Sequence, residues 1–206
     1  TLKADFPDSV EITPIYEQHV VVDEAVSSFL LSLAMSVAIV VGALMITMGW
    51  RAGLVVGTTL GLTVFVTLFF MSVFGIAMER ISLGALIIAM GMLVDNAIVT
   101  TEGMVIGMAR GKSAIKAAAE TESSTSIPLL GATVIGIMAF SGIGLSPDAT
   151  GEFLFSLFAV IAISLLMSWA LAVSVTPYLG KLLLRAPKET SDDPYKGAFY
   201  GVYRSF

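Results

Sequence analysis

No cysteine occurs anywhere in the 206 residues, and only 13% of them carry charge. The first absence excludes disulfide frameworks, thiolate metal sites and cysteine nucleophiles. The second excludes an ordinary soluble domain, in which about a quarter of residues are charged. What stands in place of charge is apolar: 56% of residues are hydrophobic and the mean hydropathy is +0.92. This is the composition of a membrane protein. The net charge of -5 gives no case for a nucleic-acid partner, because here the placement of each charge matters more than the sum. The opening stretch TLKADFPDSVEITPIYEQHVVVDEA has neither a basic n-region nor an apolar h-region, so no signal peptide is expected in it. With no initiator methionine, the chain is expected to be a piece of a larger protein.

A spanning helix needs about 20 mainly apolar residues. Five segments meet that requirement, over about 25–50, 52–78, 81–107, 126–145 and 151–184. The predicted fold class is therefore an all-α membrane protein built as a five-helix transmembrane bundle. Pro128 is expected in the first turn of the fourth span, where proline is tolerated, and Pro177 lies near the end of the fifth. Arg51, then Arg110, Lys112 and Lys116, then Lys181, Arg185 and Lys188 fall in alternate connections. Basic loops stay cytoplasmic, which puts the amino-terminal end outside and the carboxy-terminal end inside.

The ends carry weaker signals. SVEITPIYE, over 9–17, alternates in strand fashion and reads as the last strand of an exterior domain or as a frayed terminus. Asp23 and Glu24 favour a helix start close by. In the tail, 185–206, Tyr195, Phe199, Val202, Tyr203 and Phe206 recur at helical spacing beside Lys196 and Arg204. That pattern suits an interfacial helix, with an aromatic-rich linker as the plainer reading.

Gly53, Gly57 and Gly61 follow one another at four-residue steps in the second span. Small faces let helix backbones approach closely in lipid, so these residues are expected at a helix contact. The serines and threonines at 27, 28, 32 and 36, and at 58, 59, 63 and 67, can bond back to their own helices and are assigned no function.

The third span contains GMLVDNAIVTTE, from Gly91 to Glu102, with Asp95 about midway along. An ionised carboxylate at that depth costs about 2.5 to 3.5 kcal/mol on insertion scales. It has to be neutralised by a proton or paired with a base. No Lys or Arg lies near the middle of any span, so a basic partner has to come from outside these residues. Intramembrane carboxylates mark ion and proton paths, against the plainer reading of a buried structural carboxyl that never titrates. Helical geometry places Gly84, Ile88, Gly91, Asp95, Ile98 and Glu102 on one face. That face is expected to meet a closely packed neighbour, with Gly91 at the contact. Glu102, two turns on, is a candidate way-station for protons or an interfacial glutamate that reaches water. Asn96 points about 100° away and can donate and accept hydrogen bonds without titrating.

These residues resemble the fourth transmembrane helix of the resistance-nodulation-division (RND) efflux transporters, hydrophobe/amphiphile branch, where V-D-[DN]-A-I-V-x-x-E surrounds the intramembrane proton site. ITPIYEQHVVVDEAV resembles that family's exit from the periplasmic porter domain into helix two. GWRAGLVV is similar to its turn between helices two and three, and SVTPYLGKLLL to the end of helix six. The resemblance implies helices two to six of a twelve-helix domain, with 1–24 as the end of the porter domain and 185–206 as a cytoplasmic tail. It further implies an inner-membrane homotrimer that exports amphiphilic small molecules in exchange for protons. A second half of the transporter, a periplasmic adaptor and an outer-membrane channel are its implied partners. Asp95 takes the first acidic position. Asn96 stands where many members have a second aspartate, and Gly103 where an asparagine often follows the glutamate. A two-carboxylate relay is thereby in doubt.

The mechanism so implied is alternating access: protonated Asp95 releases its basic partners, the helix shifts, and the periplasmic domain responds. No cofactor is implied beyond the coupling ion. A carboxylate beside an asparagine also has oxygens for Na⁺, so the ion stays open between proton and sodium. Other readings are a lipid exporter or protein-translocation helper of the same architecture, a channel, and a passive structural subunit. An intramembrane aspartyl protease needs two carboxylates, and only one lies mid-span.

Overall fold

The computed structural model describes residues 18–76 and 79–184. The expected strand at 9–17 and the expected tail helix lie outside the described residues. Five helices follow in order: α1 Gln18–Thr47, α2 Trp50–Val73, α3 Arg80–Ala109, α4 Ala114–Gly144 and α5 Ala149–Leu183. All five are long and apolar enough to cross a membrane, and no strand occurs among the described residues. The protein is an all-α membrane bundle.

The connections are short, so successive helices run antiparallel. α1 turns into α2 through Met48 and Gly49, the latter at φ 88°. α2 and α3 each end on a left-handed glycine. Gly75 has φ 67° and Gly111 φ 81°. At the first, Ile76 N–H donates to Met71 O at 2.9 Å; at the second, Lys112 N–H donates to Gly107 O at 3.2 Å. These bonds close the exposed carbonyls, and glycine supplies the positive φ without a Cβ penalty. Restarts are capped by side chains: Ser82 Oγ accepts from Glu79 N–H at 2.9 Å, and Ser113 Oγ accepts from Lys116 N–H at 3.4 Å.

α3 and α5 are central. α5 packs on α2, α3 and α4, while α1 lies mainly against α2. One core joins Leu60, Leu86, Leu93, Val160 and Ile161, and a smaller one joins Ala52, Val55, Met104, Met108 and Ala117 near the basic end. At that end the Arg51 guanidinium lies 5.2 Å from the centre of the Trp50 ring, a cation–π contact, and Lys112 pairs with Glu120.

Two expectations about α4 are corrected. The helix begins at Ala114 rather than near Ser126, because Ser113 caps it and the polar, alanine-rich AIKAAAETE is a good helix former. Pro128 therefore sits inside the helix and not in its first turn, where it deprives the carbonyl one turn back of its donor. Two residues before the proline, Trp169 Nε1 of α5 donates to Ser126 O at 3.0 Å. Trp169→Phe should remove this bond at a cost of about 1 kcal/mol or less, read as a small loss in unfolding midpoint in mixed micelles.

The glycine stripe of α2 divides in two. A methyl on Gly53 would stand 2.8 Å from Met45 N and 2.9 Å from its Cα, and one on Gly57 would stand 2.7 Å from Val41 Cγ2. A methyl on Gly61 would meet nothing within 4 Å. The close approach to α1 thus covers two of the three residues, Gly53 and Gly57. Other close approaches lie at Gly103 against Thr121, Gly107 against Ala117 and Gly180 against Met104.

Candidate functional site in the third helix

Asp95 stands near the middle of α3, with about 20 Å of helix on either side at 1.5 Å per residue. What decides its direction is the competition between the faces of a helix that is apolar almost all round. Leu86, Ala89, Met90, Leu93, Ala97 and Met104 are buried on one side. These side chains fill the space towards the core, and close van der Waals packing favours that rotation. The opposite side is left open: Asp95 and Glu102 are exposed and Ile88 is 54% exposed.

The closely packed neighbour expected at Asp95 is not found among the described residues. Among the described residues no atom would come within 4 Å of a methyl on Gly84 or Gly91, so Gly91 makes no tight helix contact there. Asp95 and Glu102 take part in no hydrogen bond or ion pair among the described residues. The charged side chains on the ends of the neighbouring helices, such as Arg51, Lys116 and Lys181, stand far along the chain from mid-bundle. No group of three or more potential metal ligands occurs among the described residues.

Asn96, one residue on, has the opposite environment. It is only 6% exposed, and its Nδ2 donates to Ser168 Oγ of α5 at 3.2 Å. Ser168 in turn donates to Leu93 O at 2.7 Å, and Thr100 Oγ1 donates to Asn96 O at 3.0 Å. Nearer the basic end, Thr59 of α2 and Thr176 of α5 are 3.1 Å apart and buried. Thr59 Oγ1 also reaches Val55 O at 3.0 Å and Thr176 Oγ1 reaches Leu171 O at 3.5 Å, so either hydroxyl can donate between them. Thr101 Oγ1 is buried without a partner among the described residues. Sequence reasoning assigned no role to the serines and threonines it considered and did not single out Ser168. Its only signal was a serine four residues from Ser164 in an otherwise bulky run.

Fold and site together define a polytopic membrane bundle with one carboxylate midway along a spanning helix, a class in which such groups serve ion or proton paths. Comparison with known proteins makes this specific. Residues 1–206 match the AcrB/AcrD/AcrF family, and the chain belongs to that family of RND transporters. It is 26% identical over 207 residues to the toluene efflux pump membrane transporter TtgE of Pseudomonas putida, covering 99% of this chain and 20% of that protein. It is 24% identical over 198 residues to the multidrug resistance protein MdtC of Pectobacterium atrosepticum, covering 95% and 19%. A protein of Haemophilus influenzae described as an uncharacterized transporter is 24% identical over 188 residues, covering 90% and 18%. The chain spans about a fifth of the length of these relatives.

Proposed function

We propose that these helices are part of the membrane domain of a proton-driven efflux pump for amphiphilic compounds, with Asp95 as the coupling carboxylate. The observation that carries this reading is the open face of α3. A carboxylate at mid-bundle depth, on a face with bare glycines and no partner among the described residues, suits a seam with further helices that bring a base. Ionised Asp95 holds that base across the seam, and protonated Asp95 releases it. The driving force is about 2.3 kcal/mol per proton for each 100 mV, plus any pH difference. Glu102, exposed two turns along the same helix, serves as a way-station towards the basic end.

The same reading places the amino-terminal end in the periplasm and the tail in the cytoplasm of a bacterial inner membrane. It makes the intact transporter a homotrimer that works with an adaptor and an outer-membrane channel. The relatives named as toluene and multidrug transporters support hydrophobic cargo. The test is ion dependence in proteoliposomes containing the intact transporter. An imposed proton gradient should drive cargo movement, and a sodium gradient of equal size should not. Movement driven by sodium alone would overturn proton coupling.

A further inference from the structure

The Ser168 hydroxyl lies between two groups of α3. It donates to the Leu93 carbonyl at 2.7 Å and stands 3.2 Å from the Asn96 amide. A hydroxyl has one proton, and a carbonyl can only accept. With that proton committed to Leu93, residue 96 has to donate, and Nδ2 does so. Both side chains are buried, Asn96 to 6% and Ser168 to 1% exposure, so the bonds are shielded from competing water.

We propose that Asn96 is a positioning residue: through Ser168 it locks the rotation of α3 against α5, holding Asp95 on the open face, and its position requires a neutral hydrogen-bond donor. The proposal rests on the reading of Asp95 as the coupling group. One serine grips α3 at a backbone carbonyl and at a side chain three residues on, which is nearly one turn. Rotation of α3 about its axis breaks both bonds together. The adjacent residues thus divide the work: Asp95 changes charge and Asn96 keeps the helix pair in register while it does.

An ionised carboxylate at 96 would offer acceptors only, so Ser168 would have to abandon either Leu93 or the carboxylate. A protonated carboxyl can donate and would restore the bond. Asparagine keeps the lock closed whatever the proton occupancy of the site, which confines titration to Asp95. Few other charges face it. No residue over 26–47, 52–73, 123–144 or 153–180 of the four surrounding helices is charged. Beyond Asp95, those that flank these stretches are Glu24 and Arg51, then Glu79 and Arg80 at the start of α3, then Glu120 and Glu122 of α4, then Asp148 just before α5 and Glu152 and Lys181 within it, with Glu102 on α3 itself.

Two measurements on the intact transporter test the proposal. The first is a double-mutant cycle in reversible unfolding with Asn96→Leu and Ser168→Ala. The double variant should be no less stable than the weaker single variant, and Ser168→Thr, which keeps the hydroxyl, should retain the coupling to Asn96. Fully additive losses would overturn the lock. The second is transport against pH at equal membrane abundance. Relative to wild type, Asn96→Asp should work at acid pH and lose rate by up to about tenfold per unit above the pH at which the new carboxyl ionises. Asn96→Leu should be impaired at every pH. An Asn96→Asp profile that follows wild type throughout would overturn the requirement for a donor. If Asp95→Asn transports normally while the cycle remains coupled, the coupling role fails and the lock survives. Additive losses with an inactive Asp95→Asn mean the reverse.

Discussion

Exchanging Asp95 for asparagine should reduce the proposed proton-driven export by the intact transporter to background at equal membrane abundance. Asparagine matches aspartate in size and can fill the same position. What it lacks is the ability to exchange a proton and to carry negative charge. Because the carboxylate lies on the open face of α3, with no partner among the described residues, the substitution leaves the contacts of α3 with α2, α4 and α5 untouched. The change removes a group whose ionised form costs about 2.5 to 3.5 kcal/mol in a membrane, which offsets part of the cost of leaving the base across the seam without its counter-charge. On the proposed reading, export should be lost because nothing would couple it to a gradient. Efflux of a hydrophobic dye, at expression matched by immunoblot, checks this, and wild-type efflux would show that the ion path runs elsewhere.

Gly53→Ala should destabilise the bundle by about 1 to 3 kcal/mol, the usual range for overpacking a tight contact. Its methyl would press on Met45 at 2.8 Å from the backbone nitrogen and 2.9 Å from Cα. Backbone cannot swing aside as a side-chain tip can, so α1 and α2 must separate and surrender packing along their length. Gly61→Ala is the internal control. Its methyl meets nothing within 4 Å, and alanine is the better helix former by up to about 1 kcal/mol; this variant should be neutral or slightly stabilised. Unfolding midpoints in mixed micelles separate the two, and equal losses would contradict the tight fit at Gly53 and the open space at Gly61.

The same comparison shows how far the residues reveal the architecture. The five helices are legible because each contains an apolar run long enough for the bilayer, and hydropathy reads that length directly. The start of α4 is not, since Ala114–Thr125 is polar and an apolar-run criterion stops where polarity begins, although the helix continues. Asp95 is conspicuous as an ionisable group in an apolar run. Its direction is not, because in a helix apolar almost all round the periodicity names a face without saying which one packs. Only the filled side of α3, with Leu86, Leu93 and Met104, settles that. Ser168 escapes notice because serine is common in membrane helices and gains its role from the approach of α5 to Asn96, 72 residues away in sequence. Gly53 and Gly61 look alike in the sequence and differ in what a methyl there would meet.

Proton movement itself is the most direct test of Asp95 as the coupling carboxylate. The intact transporter, reconstituted with a pH indicator trapped inside the vesicles, would be challenged with hydrophobic cargo as wild type and as Asp95→Asn. Cargo-dependent proton flux in the wild type and none in the variant is the expected result. Equal flux in both would contradict the assignment.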